Sequence, residues 1–311
     1  QVGALSTDQV GALTTAQVGA LSATQLGALG TDDVAELSTD AVAAISTKAI
    51  TGLTTDAVAA LSTDQVGALT TAQVAALKTT QVAALTTDQV EALSTDQVGA
   101  LTAAQVGALT NDQIGALSTD QIAAISAKGI AGLTATQLDG MSTDQLEALD
   151  TAQTGALSAT QVATFDATDI AEFSTDEIAA ISTKAISGLT TDAVAALSTD
   201  QLGALTTGQV AAMKAAQIAA LTTDQVEALS TDQIGALTAA QVGALTTDQI
   251  GALSTDQVAA ISAKGIAGLT ATQVGALSTD QVGALTTAQV GAMSAAQLGA
   301  LGTDDVAELS T

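Results

Sequence analysis

Leu5-Ser6-Thr7-Asp8-Gln9-Val10-Gly11-Ala12 is followed at once by Leu13-Thr14-Thr15-Ala16-Gln17-Val18-Gly19-Ala20. The pattern L-[ST]-T-D-Q-V-G-A then continues to Leu309-Ser310-Thr311 without an insertion or deletion. A period of eight over 311 residues makes the chain a repeat array, so the fold is read from one unit. A continuous helix fails the test of periodicity. Eight residues at about 100° each advance about 800°, so the Leu and Val rows would drift by about 80° per octad and leave no fixed apolar face. A strand fails too. Leu at position 1, Val at 6 and Ala at 8 do not alternate with period two, and Ala, Gly, Asp and Gln are poor strand residues.

One short helix per octad gives nearly every position a task. With Ser6 as N-cap, Gln9 stands at the third helical position, and the two form the S/T-x-x-Q capping box. Leu5, just before the cap, and Val10, at the fourth helical position, form the hydrophobic staple. Asp8 places negative charge at the positive end of the helix dipole. Gly11 weakens continuation, and Thr14 starts the next cap. The expected fold is an all-α solenoid of capped helices about six residues long, one per octad. Isolated helices shorter than about 12 residues are marginal, so stability has to come from stacking octads.

A second period lies above the first. Leu29-Gly30-Thr31-Asp32-Asp33-Val34-Ala35-Glu36 recurs as Leu301-Gly302-Thr303-Asp304-Asp305-Val306-Ala307-Glu308, with a diverged copy at Phe165 to Glu172. Leu29 and Phe165 are 136 residues apart, as are Phe165 and Leu301. The lysines follow the same spacing: Lys48 with Lys184, Lys78 with Lys214, Lys128 with Lys264. The reading is one continuous array over 1–311, with long repeats at 29–164 and 165–300 and partial copies at 1–28 and 301–311. Residues 1–39 and 273–311 differ only at Leu21 against Met293 and Thr24 against Ala296. Both ends fall within the array, and the expectation is a window on a longer polymer.

Composition excludes several function classes. The chain has no His, Cys, Arg, Trp, Tyr or Pro. It therefore offers no imidazole or thiol for catalysis or soft-metal ligation and no guanidinium clamp for phosphate. A formal charge of −26 argues against nucleic acid as a partner. Apolar runs are far shorter than the roughly 18 residues that span a bilayer, so no membrane insertion is expected. Carboxylates without a partner base point to no enzyme and no cofactor.

Two sets of residues remain as candidates. The acidic groups Asp32, Asp33 and Glu36, and Asp304, Asp305 and Glu308, with Asp166, Asp169 and Glu172 between them, are weak metal candidates. Ca²⁺ is the ion they would suit, because it takes six to eight oxygen ligands. The plainer reading is helix N-terminal charge facing water. The second set comprises the octads at 45–52, 125–132, 181–188 and 261–268, which read I-S-[TA]-K-[AG]-I-x-G. Each places Lys where Asp normally stands, against the helix dipole. Lys48, Lys128, Lys184 and Lys264 are therefore candidate contacts between turns or between chains. A turn of about 3.4 octads would align them in one column. Phe165 and Phe173 replace Leu at position 1 and are read as fillers of a larger core gap.

Octads such as Leu221-Thr222-Thr223-Asp224-Gln225-Val226 resemble the L-T-x-x-Q-[VI]-x-A-L arrays of very large, low-complexity bacterial surface and secreted proteins. The resemblance extends over the whole chain. It implies a structural repeat protein: a segment of a giant self-assembling extracellular filament or cell-surface fibre, with self-association into a homo-oligomer or filament as the partner interaction. The alternative is an adhesin stalk or surface-layer component stiffened by divalent cations.

Overall fold

The computed structural model describes residues 2–309. Within them every regular element is a short helix: thirty-seven α-helices of four to six residues and two three-residue 3₁₀ segments. The chain falls into two compact units, Gln1–Ala156 and Leu157–Thr311. Each is a solenoid of stacked octads. The division does not follow the long sequence repeats, whose boundary lies at 164/165.

The local design is the one the octad dictates. Ser94 caps Thr95–Gly99 with extended backbone (φ −69°, ψ 159°), and its hydroxyl accepts from the Gln97 N–H. In return the Ser94 N–H donates to Gln97 Oε1 at 2.7 Å. Both halves of the box recur along the array, which satisfies two N–H groups that each helix start would otherwise leave unpaired. Several helices stop at four residues rather than the expected six, among them Ala23–Leu26, Thr47–Ile50 and Ala103–Val106. The octad at 181–188 forms no α-helix and carries a 3₁₀ segment at Ile186–Gly188.

The core is built from positions 1 and 6. Val66, Val98 and Ile122 are wholly buried, and Leu69, Leu101 and Ile125 nearly so. Position 6 tolerates a hydroxyl only where it is satisfied internally: Thr154 donates from Oγ1 to the Asp150 and Thr151 carbonyls. Phe165 and Phe173 are buried with their ring centroids 5.0 Å apart and tilted by 55°, a favourable aromatic arrangement.

Successive turns stack octad on octad. Thr95–Gly99 packs on Thr119–Ala124, and Thr63–Gly67 on Thr87–Glu91, each three octads on. Close contacts between turns join residues 25 apart, as at Gly99 and Ala124, and up to 31 apart, as at Val66 and Gln97. A turn therefore takes between three and four octads. The lysine octads bring backbones closest together. A Cβ at Gly132 would overlap the Ala103 carbonyl, and one at Gly52 would overlap that of Ala23. The terminal Gly of these octads is thus fixed by the approach of the preceding turn.

Two glycine substitutions should act in opposite directions. Gly132→Ala forces the turns apart and should destabilise the local stack by about 1–3 kcal/mol. A Cβ at Gly115, inside the helix Asn111–Ala116, meets nothing within 4 Å. Gly115→Ala should stabilise by up to about 1 kcal/mol through helix propensity. Hydrogen-exchange protection of the flanking octads measures both effects.

Candidate functional site

The polar side chain that the fold uses most intensively is the glutamine at position 5. Its Oε1 closes the capping box, which leaves two amide hydrogens on Nε2. In Gln97 that nitrogen donates to the Val66 carbonyl at 3.0 Å and to the Leu69 carbonyl at 2.6 Å, on the turn below. Gln65 does the same to Val34 (2.9 Å) and Leu37 (2.6 Å), and Gln249 to Ile218 (3.2 Å) and Leu221 (2.6 Å). The acceptors lie 31 and 28 residues earlier, where one octad ends and the next begins. Those carbonyls belong to helix C-termini, which leave acceptors without intrahelical partners. One carboxamide thus caps a helix start in its own turn and a helix end in the turn below.

This seam buries the glutamines. Gln73, Gln105 and Gln289 are each no more than 2 % exposed, whereas Gln9, Gln17 and Gln25, which make no amide bond across a turn, are exposed. Among the described residues no buried side-chain nitrogen or oxygen lacks a hydrogen-bond partner. The sequence signal for the second role was the choice of amide over acid. A capping box accepts Glu as readily as Gln, yet position 5 carries Glu only at Glu177.

The acidic candidates have separate tasks. Gly30 and Gly302 stand at N-cap positions and have no side chain to offer, so only half of the box forms. Asp33 Oδ2 accepts from the Gly30 N–H, and Asp305 Oδ2 from the Gly302 N–H, both at 2.9 Å. Asp305 Oδ1 also accepts from the Thr279 hydroxyl at 3.1 Å. Asp166 Oδ1 accepts from the Thr168 and Asp169 N–H groups. Asp32, Glu36, Asp304, Glu172 and Glu308 are exposed. Among the described residues no group of three or more His, Cys, Asp or Glu side chains converges so as to hold a metal ion.

Lys48, Lys128, Lys184 and Lys264 are all exposed. Lys48, Lys128 and Lys264 lie in four-residue helices, and Lys184 just before the 3₁₀ segment. Their octads replace the seam glutamine by Ala49, Gly129, Ala185 and Gly265, all buried. The depression beside Phe165 is open, and its polar lining consists of the Thr164 and Thr190 hydroxyls and the Asp166 and Asp192 carboxylates; the Thr164 hydroxyl donates to the Gln161 carbonyl. Among the described residues no helix is long and apolar enough to cross a membrane.

Comparison with known proteins identifies the octads. A family model described as the ALTTAQ repeat matches residues 2–39, 34–79, 71–103, 98–127, 170–207, 206–239, 234–263, 255–287 and 282–311. No curated protein matches. Among solved structures, the chain is similar to the leucine-rich repeat-containing protein LegL7 from Legionella pneumophila at 12 % identity and a TM-score of 0.21, over 78 % of this chain and 79 % of that one.

The two roles of the seam amide separate in Gln97→Glu. The carboxylate keeps the capping acceptor but loses both donors and faces two carbonyl oxygens. The expected cost at neutral pH is about 1–3 kcal/mol. Burial among acceptors raises the folded-state pKa of the introduced carboxyl above its unfolded value. Its protonated form can donate, so the variant should approach wild type below the unfolded pKa and lose stability as pH rises through the folded pKa. Thermal melts of the variant and Gln97→Leu across acidic and neutral pH check the sign. A penalty in Gln97→Glu that does not vary with pH would contradict the assignment.

Proposed function

The chain belongs to the ALTTAQ repeat family, and on that basis we propose a structural role for it: a segment of a self-assembling extracellular filament or cell-surface fibre, with no catalytic activity. The observation that carries this reading is the constancy of the seam. The amide-to-carbonyl register of 31 and 28 residues is the same at Gln65, Gln153, Gln225 and Gln297. An array held by one repeated contact lengthens by whole octads with no change in its local structure, which suits a fibre. The residues of the unit are spent on caps, staples and seams, and what remains outward is a row of Thr, Asp and Ala. Trp, Tyr and Arg, the anchors that favour a ligand-binding groove, are absent from the sequence, and the two Phe side chains are buried.

Electron microscopy of the native assembly, with sedimentation of the purified chain, tests the role. Elongated multimers are expected, and a dispersed monomer at high concentration would contradict it. The cation-stiffened alternative is read from the same material. With acidic positions acting as helix-start charges, EDTA should leave the melting temperature unchanged. A large drop reversed specifically by Ca²⁺ would favour the adhesin-stalk reading. Protease accessibility on intact cells tests the surface location.

A further inference from the structure

The long repeat of 136 residues carries a feature that the octad alone does not. Position 5 is Gln in most octads, but in 29–60 it is Asp33, Ala41, Ala49 and Ala57, and in 165–196 it is Asp169, Glu177, Ala185 and Ala193. Each run opens a long repeat, at Leu29 and at Phe165. Elsewhere in 29–300 glutamine is missing from position 5 only at Gly129 and Gly265, and both have glutamine in the octads on either side. A turn takes between three and four octads. A single gap therefore interrupts the seam at one point, whereas four consecutive octads leave a whole turn without it.

The first run lies inside one compact unit and shows what remains when the amides are gone. In the seam register, amides at positions 41, 49 and 57 would reach the Leu13, Leu21 and Leu29 carbonyls, 28 residues earlier. Alanine has no hydrogen to donate there. Asp33 Oδ2 accepts from the Gly30 N–H at 2.9 Å and serves its own octad. The Ser38, Ser46 and Thr54 hydroxyls still accept from the Ala41, Ala49 and Ala57 N–H groups, but the half of the box that glutamine supplies is missing. Backbone proximity and apolar packing join this turn to the one below. Thr15–Gly19 packs on Thr39–Ala44 and Ala23–Leu26 on Thr47–Ile50, with Val18, Leu26, Val42 and Ile50 wholly buried. Apolar contact is non-directional, so it lacks the fixed donor-to-acceptor register of the amide seam.

Lack of space does not explain the substitution at Asp33 and Ala41. A Cβ at Gly19 would lie 3.0 Å from the Ala44 carbonyl oxygen. The equivalent approach of Gly99 to Ala124 is 2.9 Å, and there Gln121 reaches the Val90 and Leu93 carbonyls. A Cβ at Gly11 would lie 3.4 Å from the Glu36 carbonyl oxygen, and one at Gly67 3.6 Å from that of Ala92, where Gln89 reaches Val58 and Leu61. The turns thus stand about as close without the amide as with it. Glutamine fits at this spacing, and the run leaves it out.

We infer that the four amide-free octads opening each long repeat are a yielding joint, the place where the solenoid opens first. In a repeat array each unit contacts only its neighbours, so local stability follows the interface between turns. Opening starts where that interface has lost its hydrogen bonds and spares the seamed octads that follow. The long period is then the spacing of the joints, and a fibre built this way extends in steps rather than breaking at random. That use rests on the proposed structural role, but the opening itself belongs to the single chain and is measured without assembly.

Hydrogen exchange of the full chain, read peptide by peptide, tests the joint. Backbone amides in 29–60 and 165–196 should exchange at least about tenfold faster than those in 65–121 and 201–257. Asp33→Gln combined with Ala41→Gln supplies donors for the Val2, Leu5, Val10 and Leu13 carbonyls, and should slow exchange in 29–44 by about tenfold. Asp33→Leu with Ala41→Leu adds similar bulk without a donor and should not. Uniform protection along the wild-type array overturns the joint. So does fast exchange in 29–60 with none in 165–196, which is fraying near a chain end. Equal slowing by leucine and glutamine also overturns it, since the weakness would then be one of packing. A chain that shows both fast regions and the glutamine effect yet forms no multimers keeps the joint and contradicts the fibre.

Discussion

The glutamine carboxamide between turns is the interaction on which the solenoid depends. Helices of four to six residues do not persist alone, and each leaves N–H groups at its start and carbonyls at its end. In many stacked-helix proteins those groups face water. Here the octad is so short that helix ends recur every eight residues throughout the core-facing wall, where unpaired acceptors would be costly. The amide resolves this because it alone among the common side chains offers an acceptor and two donors from one rigid plane. Its acceptor works within the octad and its donors between turns, so local helix formation and long-range stacking are tied to the same residue.

That coupling accounts for where the array varies. The core position alternates freely among Val, Ile and Leu, since these differ little in packing cost. The glutamine is replaced by Ala or Gly where turns approach most closely. At Gly129 an added Cβ would lie 2.8 Å from Ile125 Cγ2 and 3.4 Å from Val106 Cγ2, leaving no room for a longer side chain to reach the turn below. In the octads at 37–44, 45–52 and 53–60 the buried Ala41, Ala49 and Ala57 take its place, so these octads send no amide to the preceding turn, while their own carbonyls still accept from Gln73, Gln81 and Gln89 of the following one. The lysines at 48 and 128 sit in octads of this kind.

Most of the octad was legible in the sequence because its contacts are local. Ser6, Gln9, Leu5 and Val10 lie within one turn of helix of each other, and their capping and staple roles follow from spacing. The short helix was legible as well: the helices run from four to six residues, many of them the full six. The second role of glutamine was not legible as a contact, because its partners lie 28 and 31 residues away and the turn length fixes which carbonyls they are. The preference for Gln over Glu was the trace it left. Asp33 and Asp305 were legible as acidic residues, and the structure gives them the cap-closing task that glutamine performs elsewhere.

Exchange of the glutamine side-chain amide protons reads the seam directly, and ¹⁵N-glutamine labelling with residue-resolved NMR supplies it. The seam requires slowly exchanging Nε2 protons in the native chain at buried glutamines such as Gln97, Gln105 and Gln241. Uniformly fast exchange, with backbone amides of the same octads still protected, would show that the turns are held together by something other than the glutamine amide.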